Sequence, residues 1–243
     1  MRQNALIRRL LAPFKHTPLH PQWFALREEP ALLRDIARQA EGVVLDVGAG
    51  TQAIRPFLSP HCRYVSLDYY QTAAEWYGTR PQIFGDGQQL PMKAGSIDVV
   101  LLLDVLEHLP RPEACLAEIS RVLRPGGRLI LQVPFLYPLH DEPFDFHRWT
   151  RHGLRALAAR HGFQIDGEQA FGHPLTTAAL LTNLAWSKTM LNWLRRGNPL
   201  LLAAPLLLLI VPVVNLRAWL LARLSAADDF MPHGYRGVWI KQA

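Results

Sequence analysis

The stretch Val43-Val44-Leu45-Asp46-Val47-Gly48-Ala49-Gly50-Thr51 decides the fold. A short, Val-rich, mostly apolar run reads as a strand buried on both faces. It ends in glycines that tolerate the positive φ of a tight turn and let backbone approach a ligand closely. Asp46 precedes the turn, so its carboxylate is delivered to the same place. A strand running into Gly-x-Gly opens many nucleotide-binding α/β domains.

Outward from that stretch the pattern alternates. Residues 63–67 read as a second strand with Asp68 at its C-terminal end, and residues 82–84 as a short third. Residues 97–103 are apolar on both faces, as a central parallel strand is. Residues 112–123 place Ala114, Leu116, Ile119, Val122 and Leu123 at helical spacing, and Pro125-Gly126-Gly127 stops that helix before a fifth strand at 128–133. Thr150 caps a helix to about residue 161, and a sixth strand begins at 163–165. Pro30 opens a helix to about residue 40, and residues 235–241 supply a seventh strand. Strands alternating with helices predict a doubly wound, Rossmann-like, seven-stranded α/β sheet. Four segments follow: a basic helical segment at 1–40, a core at 41–170, an apolar helical insertion at 171–234, and the last core strand at 235–243.

The chain has 243 residues and a formal charge of +6, unevenly placed. Residues 1–27 carry five basic residues and no acid, and so do residues 171–224, while residues 28–170 sum to −4. An acidic centre with basic flanks excludes a uniformly basic nucleic-acid binder. Two cysteines, Cys62 and Cys115, exclude a disulfide scaffold and a cysteine zinc cluster. No long apolar run with a cleavage site follows the N-terminal charges, so the protein is expected in the cytoplasm or on the cytoplasmic face of its membrane.

In an open parallel sheet, ligands bind outside the carboxyl ends of the strands. Asp46, Asp68, Asp86 and Asp104 all fall there. Asp68 is placed to accept both hydroxyls of a ribose, and Asp86, in Gly85-Asp86-Gly87, to meet an adenine amino group. Singly, each is as well explained as a solvated loop acid or a helix cap; jointly they point to a nucleoside-bearing ligand. Gly48-x-Gly50-x-x-Ala53, with Asp68 about 20 residues after the first glycine, also satisfies the permissive dinucleotide fingerprint. The first loop therefore leaves nicotinamide and other nucleoside cofactors open.

Later motifs decide between them. Val44–Thr51, Ser66-Leu67-Asp68, Gly85-Asp86-Gly87 with Leu90-Pro91, Ser96-Ile97-Asp98-Val99-Val100, Leu106-Glu107-His108 and Arg121-Val122-Leu123-Arg124-Pro125-Gly126-Gly127 together resemble the class I S-adenosylmethionine (SAM)-dependent methyltransferases, in the branch called methyltransferase domain 11. The resemblance covers about residues 41–170 and the last strand. It implies that Asp46, Gly48 and Gly50 frame the methionine part of SAM, with Asp104 nearby, while Asp68 holds the ribose and Asp86 the adenine side. The last glycine of the usual Gly-x-Gly-x-Gly is Gln52 here.

Two clusters bear on the acceptor. Asp104-x-x-Glu107-His108 is similar to the Glu-x-x-Glu-His of metal-dependent O-methyltransferases acting on small-RNA ends and in the ubiquinone pathway. His140, ahead of Phe144–Thr150, is similar to a stretch of the small-RNA enzymes that holds a further His ligand. This implies a divalent metal on Asp104, Glu107, His108 and His140, although the first acid is Asp and the spacing after His140 is longer. Without a metal, His140 or His108 serves as general base to a hydroxyl acceptor. Asp145, His147 and Arg148 have two readings: acceptor recognition, with Arg148 on a carboxylate or phosphate, or an internal ion pair fastening the segment. The same segment resembles one found in bacterial methyltransferases of cell-surface glycan and lipid pathways.

Residues 199–214 hold no polar side chain but contain Pro205 and Pro212. At about 1.5 Å per residue they reach ~24 Å, short of the ~30 Å hydrocarbon core. One crossing would also separate two strands of one sheet. The expectation is an in-plane or re-entrant hairpin whose basic flanks meet an anionic membrane surface. A hydrophobic or lipid-linked acceptor goes with it. The alternatives are a soluble methyltransferase of a sugar or small metabolite, with 171–234 as lid or homodimer interface, and a SAM-binding membrane adaptor without turnover.

Overall fold

A computed structural model describes residues 12–226 and 228–242, without the side chains of residues 201 and 203–208. The basic helix expected at the N-terminus lies, apart from Ala12, outside the described residues. The described elements run α1 (Trp23–Leu26), α2 (Glu29–Gln39), β1 (Val43–Val47), β2 (Arg63–Asp68), β3 (Ile83–Phe84), β4 (Ile97–Leu103), α3 (Pro112–Val122), β5 (Leu123–Pro134), α4 (Arg151–Arg160), β6 (Phe163–Phe171), α5 (Pro174–Arg196), α6 (Ala204–Leu224) and β7 (Gly234–Lys241). A wide π-type helical turn, Gln71–Tyr77, and a 3₁₀ turn, Leu106–His108, stand after β2 and β4.

The chain divides into two compact units. Of the described residues, one takes 31–135, 139–170 and 234–242, and the other 12–30, 136–138, 171–226 and 228–233. The first unit is the sheet, in the order β3-β2-β1-β4-β5-β7-β6. Strands β1 to β5 pair in parallel, and β7 enters antiparallel to β5. The fold is therefore the α/β, seven-stranded one expected. Its core lies on both faces: Leu45, Val100, Leu102, Leu116, Ile119 and Leu131 on one, and Leu33, Ile36, Val44, Val99, Leu101 and Ile130 on the other. Adjacent residues of one strand thus enter opposite cores, which explains why these strands carry no polar alternation. The unit begins inside α2, whose Leu33 and Ile36 are packed against β1 and β4.

Register aligns the strand ends. Asp46 lies opposite Ser66 and Leu101, and Asp68 opposite Phe84. Asp46, Asp68, Asp86 and Asp104 consequently come out at the C-terminal ends of β1 to β4.

Local details differ from the sequence expectations for physical reasons. Pro125–Gly127 end α3 but are absorbed into β5, which starts at Leu123 with a register shift between Ile97 and Val99. The turn Gln71–Tyr77 is too short for a helical period to show in sequence; Thr72 Oγ1 ties it to Asp68 at 2.8 Å. In the other unit α6 continues through Pro212, where a break is expected.

That second unit pairs α5 with α6. Its centre is polar: Asn183 Nδ2 donates to Asn215 Oδ1 (2.8 Å), and Asn215 Nδ2 donates to the carbonyls of Pro18 (2.7 Å) and His20 (3.1 Å). Around it pack Trp23, Phe24, Ala179 and Ala218. The opposite face of α6 exposes Leu209, Val213, Leu216, Leu220 and Leu224, at helical spacing.

Candidate active site

The donor half is built on the β1 turn. The Gly48 and Ala49 amides donate to Leu67 O (2.8 and 3.1 Å), locking the turn against β2. Gly48 has φ +72°, and a Cβ there would come within 2.4 Å of Val105 Cγ2. Gly50 has φ +49°, and a Cβ there would meet only Gly48 O, at 3.9 Å. The turn is thus tight beneath and open above, a cradle with room for a ligand.

Asp68 is nearly buried. Its Oδ2 accepts from Gly50 N (2.7 Å), and its Oδ1 from Tyr69 N (2.7 Å) and Thr72 Oγ1 (2.8 Å). Asp86 Oδ1 accepts from Gln88 N (2.8 Å). Near these acids Tyr69, Tyr70 and Phe84 are exposed, with the Tyr70 and Phe84 rings 5.4 Å apart. These aromatic faces suit a purine, and nothing in their sequence spacing singles them out.

Asp46 accepts from Tyr64 Oη at 2.6 Å. Burial raises its carboxyl to about 6; the Tyr64 hydrogen bond opposes that rise and the Asp68 charge adds to it. Gln52, at the missing glycine, still adopts φ +56°. Its Nε2 donates to Arg80 O (3.1 Å) and its N to Ala49 O (2.7 Å), so the loop closes as a glycine would close it.

The acceptor half is built on the turn after β4 and the strap after β5. Three residues of the implied metal set converge: one ligand atom from each of Glu107, His108 and His140 lies within 4.8 Å of the others. Asp104 is not in that group. Its carboxylate accepts instead from Gln132 Nε2 at 2.7 Å. Glu107 is fully buried, and neither carboxylate oxygen has a hydrogen-bond partner. Its Oε1 faces His108 Nε2 at 3.7 Å and His140 Nε2 at 3.8 Å, ion-pair rather than hydrogen-bond distances. His108 Nδ1 donates to Phe144 O, so Nε2 is the ring nitrogen turned toward Glu107.

His140 lies between two acids, with Asp145 Oδ2 3.3 Å from Nδ1. Burial lowers its pKa, but Glu107 and Asp145, with Asp141 farther off, outweigh that and raise it. Asp104 is pushed above the usual carboxylate range by desolvation and then by the Glu107 charge, against the Gln132 hydrogen bond. The residue as a whole still meets solvent.

The strap is fastened from within. Arg148 grips Asp145 with two bonds, Nη1 to Oδ1 (2.6 Å) and Nη2 to Oδ2 (2.7 Å). This clasp holds Asp145 at about 2: burial alone would raise it, and Arg148 and His140 overturn that. Of the two readings for Arg148, the geometry favours the internal ion pair; recognition of an acceptor anion would require the clasp to open. Phe146 N and His147 N donate to Glu107 O (2.9 and 3.2 Å). Three further buried polar atoms have no hydrogen-bond partner: Trp76 Nε1, His147 Nε2 and Trp149 Nε1. Trp76 packs on Phe144. Residue spacing gives no reason to single out these indole groups.

Strand-end acids around an open glycine turn define a nucleoside-binding α/β protein. A sequence profile described as a methyltransferase domain matches residues 45–131. An uncharacterised methyltransferase of Mycobacteroides abscessus is 30% identical over 213 residues, 76% of this chain and 81% of that protein. A crystal structure of a proposed methyltransferase from Bacillus halodurans C-125 covers 88% of this chain and 98% of its own at 18% identity, TM-score 0.52. The 4+2 cyclase SpnF covers 91% of this chain and 83% of its own at 16% identity, TM-score 0.55; similarity at that level speaks for the fold alone. The chain belongs to the class I SAM-dependent methyltransferases. The open turn at Gly50 and the four acids fit that cofactor, whose sulfonium and ammonium are cationic.

Proposed function

We propose that this methyltransferase alkylates a hydroxyl of a hydrophobic or lipid-linked acceptor at an anionic membrane surface. The observation that carries the reaction type is the Glu107–His140–His108 cluster, an acid and two imidazoles beside the donor cradle. SAM supplies an electrophilic methyl group to an aligned nucleophile. The protein's part is to hold the hydroxyl in line and take its proton. His140 takes the proton at a ring nitrogen, and Glu107 and Asp145 stabilise the imidazolium that results, as an acid orients and stabilises a histidine base elsewhere. The strap, fastened through Phe146 N, His147 N and the Asp145–Arg148 clasp, keeps that ring in place.

A second reading has an observation of its own. A buried carboxylate without donors, facing two imidazoles, is also what a borderline divalent cation requires. Glu107, His108 and His140 would hold it, Phe144 O would fix the His108 tautomer, and the metal would lower the pKa of the acceptor hydroxyl. Metal analysis of purified protein before and after chelation separates the readings: less than about 0.1 equivalent of divalent metal, with transfer unaffected by chelator, removes the metal.

Support for the membrane comes from α6, whose exposed face carries Leu209, Val213, Leu216, Leu220 and Leu224 beside Arg217. Arg223 stacks on Trp219 at 4.0 Å. Among the described residues no helix is long and apolar enough to cross a membrane, so the proposed contact is in-plane. The test is flotation with anionic and zwitterionic vesicles, followed by transfer of labelled methyl from SAM into a lipid extract. The reading predicts flotation with anionic vesicles, abolished when that face is charged by Val213→Glu with Leu220→Glu. Protein that stays at the bottom of both gradients, while methylating a water-soluble sugar, overturns it in favour of the soluble alternative.

A further inference from the structure

The wide turn Gln71–Tyr77 joins the two halves of the site. It closes with Gly78 N donating to Ala73 O, five residues back, a rare geometry that is frequent at functional sites. Both feet of the turn stand on the donor side. At one, Thr72 Oγ1 donates to Asp68 Oδ1 (2.8 Å). At the other, Thr79 Oγ1 donates to Gly50 O (2.9 Å), and Gln52 Nε2 donates to Arg80 O (3.1 Å). The apex reaches the strap instead. Tyr77 Oη donates to Asp141 Oδ2 (3.3 Å), and the Trp76 ring lies 5.6 Å from the Phe144 ring. Phe144 in turn holds His108 through its carbonyl.

Trp76 is thus joined to the base cluster through Phe144, and its polar atom has no protein partner. An indole N–H is a donor and nothing else. Here it is buried and makes no hydrogen bond. A buried donor left unmet is costly, and the cost is recovered when a ligand oxygen accepts from it. Trp76 and Phe144 are each half-buried as residues, so a ligand reaches their rings without unfolding the turn. Together they offer an apolar wall with one donor. That donor does not suit the attacking hydroxyl, because an N–H on that oxygen would occupy a lone pair needed for the methyl group. It suits a second oxygen of the same acceptor.

We propose that Trp76 is an acceptor-binding residue whose indole N–H holds a second oxygen beside the methylated hydroxyl, so that the acceptor carries a polyol headgroup rather than a lone alcohol. This deepens the hydroxyl-acceptor reading and rests on it. A sugar and a glycerol headgroup share that chemistry. Probes with the same eight-carbon chain separate them: n-octyl β-D-glucoside, 1-octanoylglycerol, and 1-octanol, which has the hydroxyl alone.

Full-length protein with nitrogen-15 in its indole groups, saturated with S-adenosylhomocysteine, is titrated with each probe and followed by NMR. Trp76→Phe and, independently, Trp76→Tyr keep a ring against Phe144 and lack the indole N–H. Each identifies the Trp76 signal by its loss, and the other indole signals report that the variant is folded. The expected result is a downfield shift of the wild-type Trp76 N–H with octyl glucoside, octanoylglycerol or both, and none with octanol. The probe that shifts it names the headgroup. In Trp76→Phe that probe binds about three- to tenfold more weakly, the worth of one neutral hydrogen bond, while octanol binding is unchanged. A Trp76 signal that moves with none of the probes, or equally with octanol, overturns the proposal and leaves the hydroxyl reading in place. Wild-type protein that transfers labelled methyl from SAM into a lipid extract only at nitrogen or carbon overturns the hydroxyl reading, and this proposal with it.

Discussion

The two halves of the site hold their acids differently. On the donor side, Asp46, Asp68 and Asp86 accept hydrogen bonds from Tyr64, Gly50, Tyr69, Thr72 and Gln88. On the acceptor side, Glu107 is more deeply buried than any of them and accepts none. A buried carboxylate normally collects donors or loses its charge. The donor half is therefore satisfied by the chain's own hydrogen bonds, while Glu107 faces only the imidazoles of His108 and His140, at 3.7 and 3.8 Å.

The sharpest way to break this contrast is Glu107→Met. Removing a buried acid without donors is expected to leave thermal stability unchanged or to raise it, because an apolar residue no longer has to desolvate. Methyl transfer should fall by about a hundredfold or more, because His140 loses an acid that stabilises its imidazolium. A marked fall in the melting temperature would show that Glu107 is a structural acid like those across the cleft.

Gly48→Ala tests the rigidity of the donor half. The new Cβ meets Val105 Cγ2 at 2.4 Å in a left-handed backbone, so the expected cost is about 2–4 kcal/mol by denaturant unfolding. Combining it with Val105→Ala should recover the steric part and leave the backbone part. No recovery would mean that Val105 yields freely.

Asp46→Asn tests whether a satisfied acid still carries strain. Burial puts the folded-state Asp46 at about 6 against an ordinary 3.8, so its protonated form is the one the fold prefers. Its contribution to stability is fully present below pH 3.8 and is lost as pH rises through 6. The Asn variant lacks this loss. It should gain on the wild type between about pH 4 and 6, and level off above about pH 7 at on the order of 2–3 kcal/mol. A difference in stability that does not vary with pH would refute the assigned shift. The smallest effect is expected of Gln52→Gly, which relieves a positive φ but frees the unfolded chain, so the two nearly cancel within about 0.5 kcal/mol.

Sequence alone is informative where the signal is local. Asp46, Asp68, Asp86 and Asp104 are legible because a strand's end and the residue that follows it are neighbours in the chain. The Thr150 cap is legible for the same reason, and the structure has Thr150 Oγ1 accepting from Gly153 N. What long-range pairing decides is not legible. Gln132 and Arg236 are 104 residues apart, and only the antiparallel register of β7 joins them. Arg148 is open to two readings because a residue three places from an acid can turn toward it or away. Convergence of Glu107, His108 and His140 depends on a strap whose path has no periodicity to read.

The placement of β7 also has a consequence for the order in which the protein is made. Parallel strands β1 to β5 are complete by residue 134, yet the strand that lies between β5 and β6 begins at Gly234. A ribosome therefore exposes β6 and the helices α5 and α6 before the sheet can close around Arg236. Until then the facing edge of β5 is unpaired, a slow, non-local step of the kind that limits folding. Synthesis thus releases the apolar helices of the second unit before the strand that completes the sheet of the first, so the proposed surface contact is available to the chain before its sheet is closed.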